Sequence, residues 1–142
     1  MFWLLLNVAL ALQIPMTPQQ RFDKSGLVVS AEVTSTETRW SDDALGGIET
    51  SIWLAPIETL SGQEPEVLEV VLAGGEIDGI RVEVEDTPHL ALDRTYLLFL
   101  VQDDLGRWIV LGGEAGAVRV DTPGGSPGPS LHSVLDGLGL QP

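Results

Sequence analysis

The chain has no cysteine among its 142 residues. That absence excludes disulfide bridges, cysteine nucleophiles, thiolate metal sites and lipid attachment through cysteine. It does not identify the compartment, because many exported proteins carry no disulfide. A chain of this length buries about two thirds of its unfolded surface on folding, so one hydrophobic core is sufficient without cross-links. We expect a single domain with additional terminal segments.

Basic residues are scarce: 7 Lys and Arg stand against 21 Asp and Glu, for a net charge of −14. No charged residue precedes Arg21, so the whole imbalance lies in residues 21–142. A field of this sign repels phosphate backbones and anionic membrane surfaces. We therefore predict no nucleic-acid partner and no stable membrane insertion after removal of a leader. The charge is typical of a soluble monomer whose copies repel one another, and it leaves open a basic partner or a cation site.

Histidine is also rare, with only His89 and His132, and neither shows the spacing of metal ligands. His132 follows a Pro/Gly-rich stretch that offers no rigid scaffold for a catalytic triad. We predict no catalytic residue, no bound metal and no cofactor. One alternative stays open, a metal-assisted hydrolase with a loop site formed by Asp86, His89 and Asp93.

Apart from residues 96–101, which we expect to form a central strand covered on both faces, the long hydrophobic run is residues 2–12 near the N-terminus. This run is shorter than the roughly 20 residues that span a bilayer. It fits the apolar region of a signal peptide, and Ala9-Leu10-Ala11 matches the small-x-small cleavage pattern. We predict a signal peptide over residues 1–11, an N-terminal extension over 12–26, and a secreted or periplasmic protein. The alternative is a first strand or helix buried in the fold.

Helical periodicity is absent between Leu27 and Val120, where apolar and polar residues alternate instead. Short strands separated by turn signals predict an all-β fold, a small partly open barrel of about five to seven antiparallel strands over residues 27–120. Residues 121–142 form a Pro/Gly-rich linker and a tail, in which Ser130 is suited to cap a short helix. The expected strands cover residues 27–36, 48–60, 68–72, 80–84, 96–101, 107–111 and 117–120.

Residues 68–84 read as a β-hairpin whose turn contains the Gly74-Gly75 pair. Leu72 and its alternate neighbours form one apolar face before the turn, and Ile80, Val82 and Val84 form another after it. The glycines are not a phosphate-binding loop, because no Lys-Ser/Thr follows them. We assign them to positive φ angles or a bulge.

A pattern of glycines and apolar residues extends through residues 27–120 and resembles a known family. The pattern comprises Gly74-Gly75, Gly79, Arg81-Val82, Pro88, Leu97-Leu98-Phe99-Leu100, Val110, Gly112, Gly116 and Val120. It is similar to small exported bacterial β-barrel domains with no assigned activity. The resemblance implies a barrel of the oligonucleotide/oligosaccharide-binding (OB) shape and carries over no catalytic residue.

Tryptophan is the one residue type that suggests a binding surface. Trp108 is expected in the core, Trp40 in a loop, and Trp53 on the polar side of its strand. Exposed aromatic rings beside polar groups stack on sugars and peptide side chains, so we predict binding roles for Trp40 and Trp53. The leading hypothesis is an exported, non-enzymatic module that binds a protein, peptide or carbohydrate. The alternatives are the metal-assisted hydrolase near His89 and a structural component of a cell-envelope assembly.

Overall fold

A computed structural model describes residues 16–41, 47–125 and 127–140. The predicted signal peptide over residues 1–11 lies outside the described residues. No helix in the described ranges is long and apolar enough to cross a membrane. The elements, in chain order, are α1 (Pro18–Lys24), β1 (Leu27–Trp40), β2 (Ile48–Ser61), β3 (Leu68–Ala73), β4 (Gly75–Ile77), β5 (Ile80–Val82), β6 (Thr95–Gln102), β7 (Trp108–Val110), a 3-10 helix (Gly113–Gly116), β8 (Ala117–Val120) and α2 (Leu131–Leu138).

Five strands close a barrel in the order β1–β2–β3–β7–β6 and back to β1. β1, β2 and β3 form an antiparallel meander, and β6 returns to pair with β1. β7 is antiparallel to β6 and parallel to β3, which it meets through the single pair Val70 and Trp108. β8 extends the sheet beyond β6. The expected small all-β barrel is confirmed, but it is closed where a partly open barrel was predicted, and one of its junctions is parallel.

The barrel interior follows directly from the alternation in the sequence. Every second residue of β1 points inward, as do the matching residues of β2, β3 and β6, because strand side chains alternate between faces. Their burial removes apolar area from water, worth about 25 cal/mol per Å². Trp108 is half-buried and packs against this core, as expected. The buried members are Leu27, Val29, Ala31, Val33, Ile52, Leu54, Leu68, Val70, Leu72, Leu90, Tyr96, Leu98 and Leu100.

A second core lies on the outer side of β1, β6 and β8, which explains the continuous apolar run in β6. Val28, Leu97 and Phe99 are fully buried there. The predicted C-terminal helix is present as α2, with Ser130 accepting a hydrogen bond from the Ser133 amide at 3.1 Å. The tail is therefore part of the folded domain. The covering residues are Phe22, Leu60, Val118, Leu131, Val134, Leu135, Leu138 and Leu140.

The extension predicted over residues 12–26 contains α1, a helix not expected from the sequence analysis. Thr17 and Gln20 form a capping box at its start, and Pro18 occupies the first turn. Arg21 in α1 is only 6% exposed. Its guanidinium lies 5.8 Å from the centroid of the Phe99 ring. This contact connects α1 to the second core.

The hairpin predicted around Gly74-Gly75 is wrong in its turn and its pairing. β3 pairs with β2 and β7, whereas the hairpin consists of β4 and β5. Its two-residue turn is Asp78-Gly79, with φ angles of 50° and 81°, as a type I′ Asp-Gly turn requires. The glycine pair instead redirects the chain from β3 to β4. Ile80 and Val84 are 52% and 46% exposed, so they do not join the core.

Candidate functional site

Three strands extend past the closed part of the barrel and carry the candidate site. β6 pairs with β1 only as far as Glu32, whereas β1 and β2 stay paired up to Trp40 and Ile48. β3 runs alongside this extension, opposite residues 49–54 of β2. The inner surface of the extension therefore continues the barrel interior without β6 to cover it.

The β4–β5 hairpin folds across this inner surface. The Thr38 hydroxyl donates to the Glu76 carbonyl at 3.2 Å, and the Thr50 hydroxyl donates to the Gly74 carbonyl at 2.7 Å. A Cβ atom on Gly75 would lie 2.7 Å from the Thr50 hydroxyl oxygen, so only glycine allows this approach. The glycine pair brings the hairpin close to the two threonines.

An open cleft of about 950 Å³ separates the hairpin and the connection after β5 from the inner surface. Its floor includes Ile52, Leu72 and Leu90, each less than 9% exposed. Thr36 is exposed and lines the cleft from β1. The volume lies at the upper end of the range that proteins use for ligand binding.

The rim of the cleft is strongly acidic. Five carboxylates line it against one guanidinium, that of Arg81, which pairs with Glu83 at 2.7 Å. Within the described part of the chain, Glu76 and Glu85 have no ion-pair partner. The cleft thus presents uncompensated negative charge around an apolar floor. The five acidic residues are Glu76, Glu83, Glu85, Asp86 and Glu114.

The loop site considered for a hydrolase is not assembled in the structure. Asp86 and His89 both line the cleft, but Asp93 lies in the turn before β6, where its amide donates to the Val33 carbonyl at 3.0 Å. The Asp86 carboxylate accepts from the Glu114 amide at 3.1 Å and so supports the 3-10 helix. In residues 16–41, 47–125 and 127–140, no three His, Asp or Glu side chains are grouped to hold a metal.

The two predicted binding tryptophans lie on opposite faces of the β1–β2 ribbon. Trp53 of β2 pairs with Ser35 of β1. Trp40 lies five residues after Ser35 on β1 and pairs with Ile48. An odd spacing on a regular strand reverses the face. Trp40 is 52% exposed and is the last residue of β1. The prediction that it lies in a loop is therefore wrong. Trp40 shares a face with Thr36 and Thr38, and the structure does not bring the two indoles into one site.

The outer face that carries Trp53 is a network of paired charges. Arg39 donates to Glu49 at 3.0 Å, and Arg107 donates to Glu49 at 3.1 Å and to Asp103 at 2.9 Å. A smaller hollow of about 270 Å³ lies beside Trp108. Its charged side chains are paired with residues outside the hollow, Arg107 with Glu49 and Asp103 and Glu69 with Arg39 at 3.7 Å, in contrast to Glu76 and Glu85 in the cleft. The cleft is therefore the stronger candidate for ligand binding.

No protein-family model matches the chain, and no curated protein sequence is similar to it. The geometry of the cleft is therefore the guide to the function of the protein. The alternation in residues 68–84 predicts a hairpin that turns at Gly74-Gly75, and this prediction does not reveal the cleft. The Asp78-Gly79 pair, a strong signal for a two-residue hairpin, is the feature that could have located it.

Proposed function

We propose that the protein is an exported, non-enzymatic binding module whose cleft holds a segment of a partner protein or peptide. The observation that carries this proposal is the open volume above a buried apolar floor. Such a floor takes up side chains of a bound segment, and removing their apolar area from water favours binding.

A peptide suits this cleft better than a carbohydrate. Sugars are commonly held by stacking on aromatic rings. None of the described residues that line the cleft is Trp, Tyr or Phe. Trp53 lies on the other side of the β1–β2 ribbon, and Trp40 is not among the residues that line the cleft. The floor residues are aliphatic, as expected for contacts with peptide side chains.

A peptide display library screened on the purified protein tests the proposal, with one variant that fills the cleft. Thr36→Trp places a large ring in the cleft, and Ser35→Trp places the same ring on the outer face of the same strand. We expect cleft-binding peptides to lose at least about tenfold in affinity with Thr36→Trp and to keep it with Ser35→Trp. Equal affinities for the two variants would overturn the proposal. Oligosaccharide binding that disappears in Trp53→Ala would support the carbohydrate alternative instead.

Export is tested separately by N-terminal sequencing of the protein recovered from the periplasm or the medium. We expect the sequence to begin after Ala11. Recovery of the chain with Met1 intact would contradict export without affecting the cleft. A cell-envelope component predicts stable co-purification with a large complex, which a monomer on a sizing column would contradict.

A further inference from the structure

We propose that the bound segment is basic and extended, and that it adds as a strand along the free edge of β5. This inference rests on the proposed function and specifies its ligand. Three observations support it: an unpaired strand edge, the orientation of that edge toward the cleft, and the charge of the rim.

The unpaired edge follows from the register of the hairpin. Ile77 and Ile80 close a two-residue turn, and Gly75 stands opposite Val82. Because bonded and non-bonded pairs alternate in an antiparallel ladder, Ile80 and Val82 direct their backbone groups toward β4. The backbone groups of Arg81 and Glu83 point to the opposite side, away from β4.

The two edges of the hairpin differ in whether their backbone groups have hydrogen-bond partners. On the β4 edge, the Glu76 carbonyl accepts a hydrogen bond from the Thr38 hydroxyl, and the nearby Gly74 carbonyl accepts one from the Thr50 hydroxyl. On the β5 edge, the backbone groups of Arg81 and Glu83 have no protein partner within the described part of the chain. An unpaired strand edge is a ready template for a further strand.

The β5 edge faces the cleft. Arg81 and Val82 of β5 both line it, although neighbouring side chains of a strand point to opposite faces. When residues of both orientations border one cavity, the edge of the segment is turned toward that cavity. A peptide lying in the cleft is then within reach of the free backbone groups.

The charge of the rim selects the side chains of the segment. Among the described residues, Glu76 and Glu85 have no ion-pair partner, and the rim has five carboxylates against one guanidinium. An added strand alternates its side chains, so one set packs toward Ile52 and Leu72 and the other set points to the rim. Alternating apolar and Lys or Arg residues complement both surfaces, and the net charge of −14 attracts such a segment from a distance.

Fluorescence anisotropy with labelled peptides of about ten residues tests the inference. The probes alternate valine with lysine, glutamine or glutamate. We expect the lysine peptide to bind at least about tenfold more tightly than the glutamine peptide, and the glutamate peptide to bind more weakly still. N-methylation of every valine or of every lysine keeps the charge and removes the donors of one peptide edge. At least one of these two peptides should lose about tenfold in affinity.

Two double variants separate local recognition from diffuse attraction. Glu76→Gln with Glu85→Gln removes charge from the cleft, and Glu66→Gln with Asp104→Asn removes the same charge from exposed positions outside it. Only the first pair should weaken the lysine peptide by about tenfold. Circular dichroism melting of each variant confirms that it is folded.

The outcomes distinguish this inference from the proposed function. If peptides bind and Thr36→Trp weakens them, while charge or N-methylation has no effect, the inference fails and the proposed function stands. Equal loss in the two double variants also overturns the inference. If Thr36→Trp affects no peptide, the proposed function itself fails.

Discussion

Arg107 donates two hydrogen bonds to the carboxylate of Asp103, from its backbone amide to Oδ1 and from Nε to Oδ2, each 2.9 Å long. The same guanidinium reaches Glu49 of β2 at 3.1 Å, so the connection between β6 and β7 is tied to the outer face of the barrel. The backbone hydrogen bond from Arg107 is the main cause that lowers the pKa of Asp103 below its ordinary value of 3.8.

Asp103→Asn should lower the free energy of unfolding at neutral pH and have little effect in acid. A carboxylate with a lowered pKa in the folded state contributes stability above its ordinary value of 3.8, and this contribution is lost as the pH falls through the lowered value. Denaturant titrations at neutral pH and below the lowered pKa measure the difference in unfolding free energy between the variant and wild type. Asp104→Asn, in the same turn, is the control. If wild type and Asp103→Asn differed by the same free energy of unfolding at every pH, the stabilising role of the Asp103 carboxylate would be contradicted.

Gly75→Ala should destabilise the protein more than Gly79→Ala. Both glycines have positive φ, 141° and 81°, so each substitution costs about 1 kcal/mol or more in backbone strain. A new Cβ at Gly75 would also meet Thr50 and Thr38 at 2.7 and 2.8 Å, whereas nothing lies within 4 Å at Gly79. Thermal unfolding of the two variants compares these costs. Equal losses would show that the close approach of the hairpin is not rigid.

Phe99→Ala should cost about 3–5 kcal/mol, since Phe99 is fully buried in the second core. The substitution also removes the ring beside Arg21 in α1. Chemical denaturation measures the loss, and Leu105→Ala, at a position 77% exposed, should stay within about 0.5 kcal/mol of wild type. A mild Phe99→Ala variant would refute the presence of a packed core on both sides of β6.

Asp86→Gly should destabilise more than Asp93→Gly, although the two aspartates have similar φ angles of 59° and 64°. Glycine relieves backbone strain at both positions. Asp86→Gly also removes the acceptor of the Glu114 amide, which we expect to add about 0.5–1 kcal/mol. Denaturant titration of both variants measures the difference, and identical stabilities would show that this hydrogen bond contributes nothing.

Divalent cations should leave the melting temperature unchanged in wild type and in His89→Ala. The expectation follows from the absence of a ligand cluster in the described ranges. A thermal shift with zinc, magnesium or calcium that disappears in His89→Ala would support the hydrolase alternative.

The sequence was sufficient to predict the barrel because its strands carry the alternation of a buried face. The strands predicted over residues 27–36 and 96–101 lie within β1 and β6, and Ser130 caps the helix predicted after it. These features depend on local patterns that any strand or helix of the same kind must show. The capping box of Thr17 and Gln20 was equally local, and it could have predicted α1.

The candidate site was harder to predict because its position depends on long-range pairing. The alternation in residues 68–72 and 80–84 is compatible with a hairpin between them and equally with pairing of β3 to β2. The register is decided by contacts with a strand about twenty residues earlier in the chain, such as Val70 opposite Ile52. Trp40 and Trp53 were grouped by residue type, and only the register shows that they face opposite ways.

The junction of β3 and β7 has one residue pair, Val70 with Trp108, whereas every other junction of the barrel has three or more. With so few backbone hydrogen bonds to break, opening at this junction has the lowest free-energy cost in the barrel. We therefore expect the barrel to exchange its amide hydrogens as two units, β1–β2–β3 and β6–β7–β8, which are joined by the pairing of β1 with β6. We expect fluctuations to begin at Val70, where the two units meet, and the amides of Leu27–Glu32, the part of β1 that is paired on both sides, to exchange last.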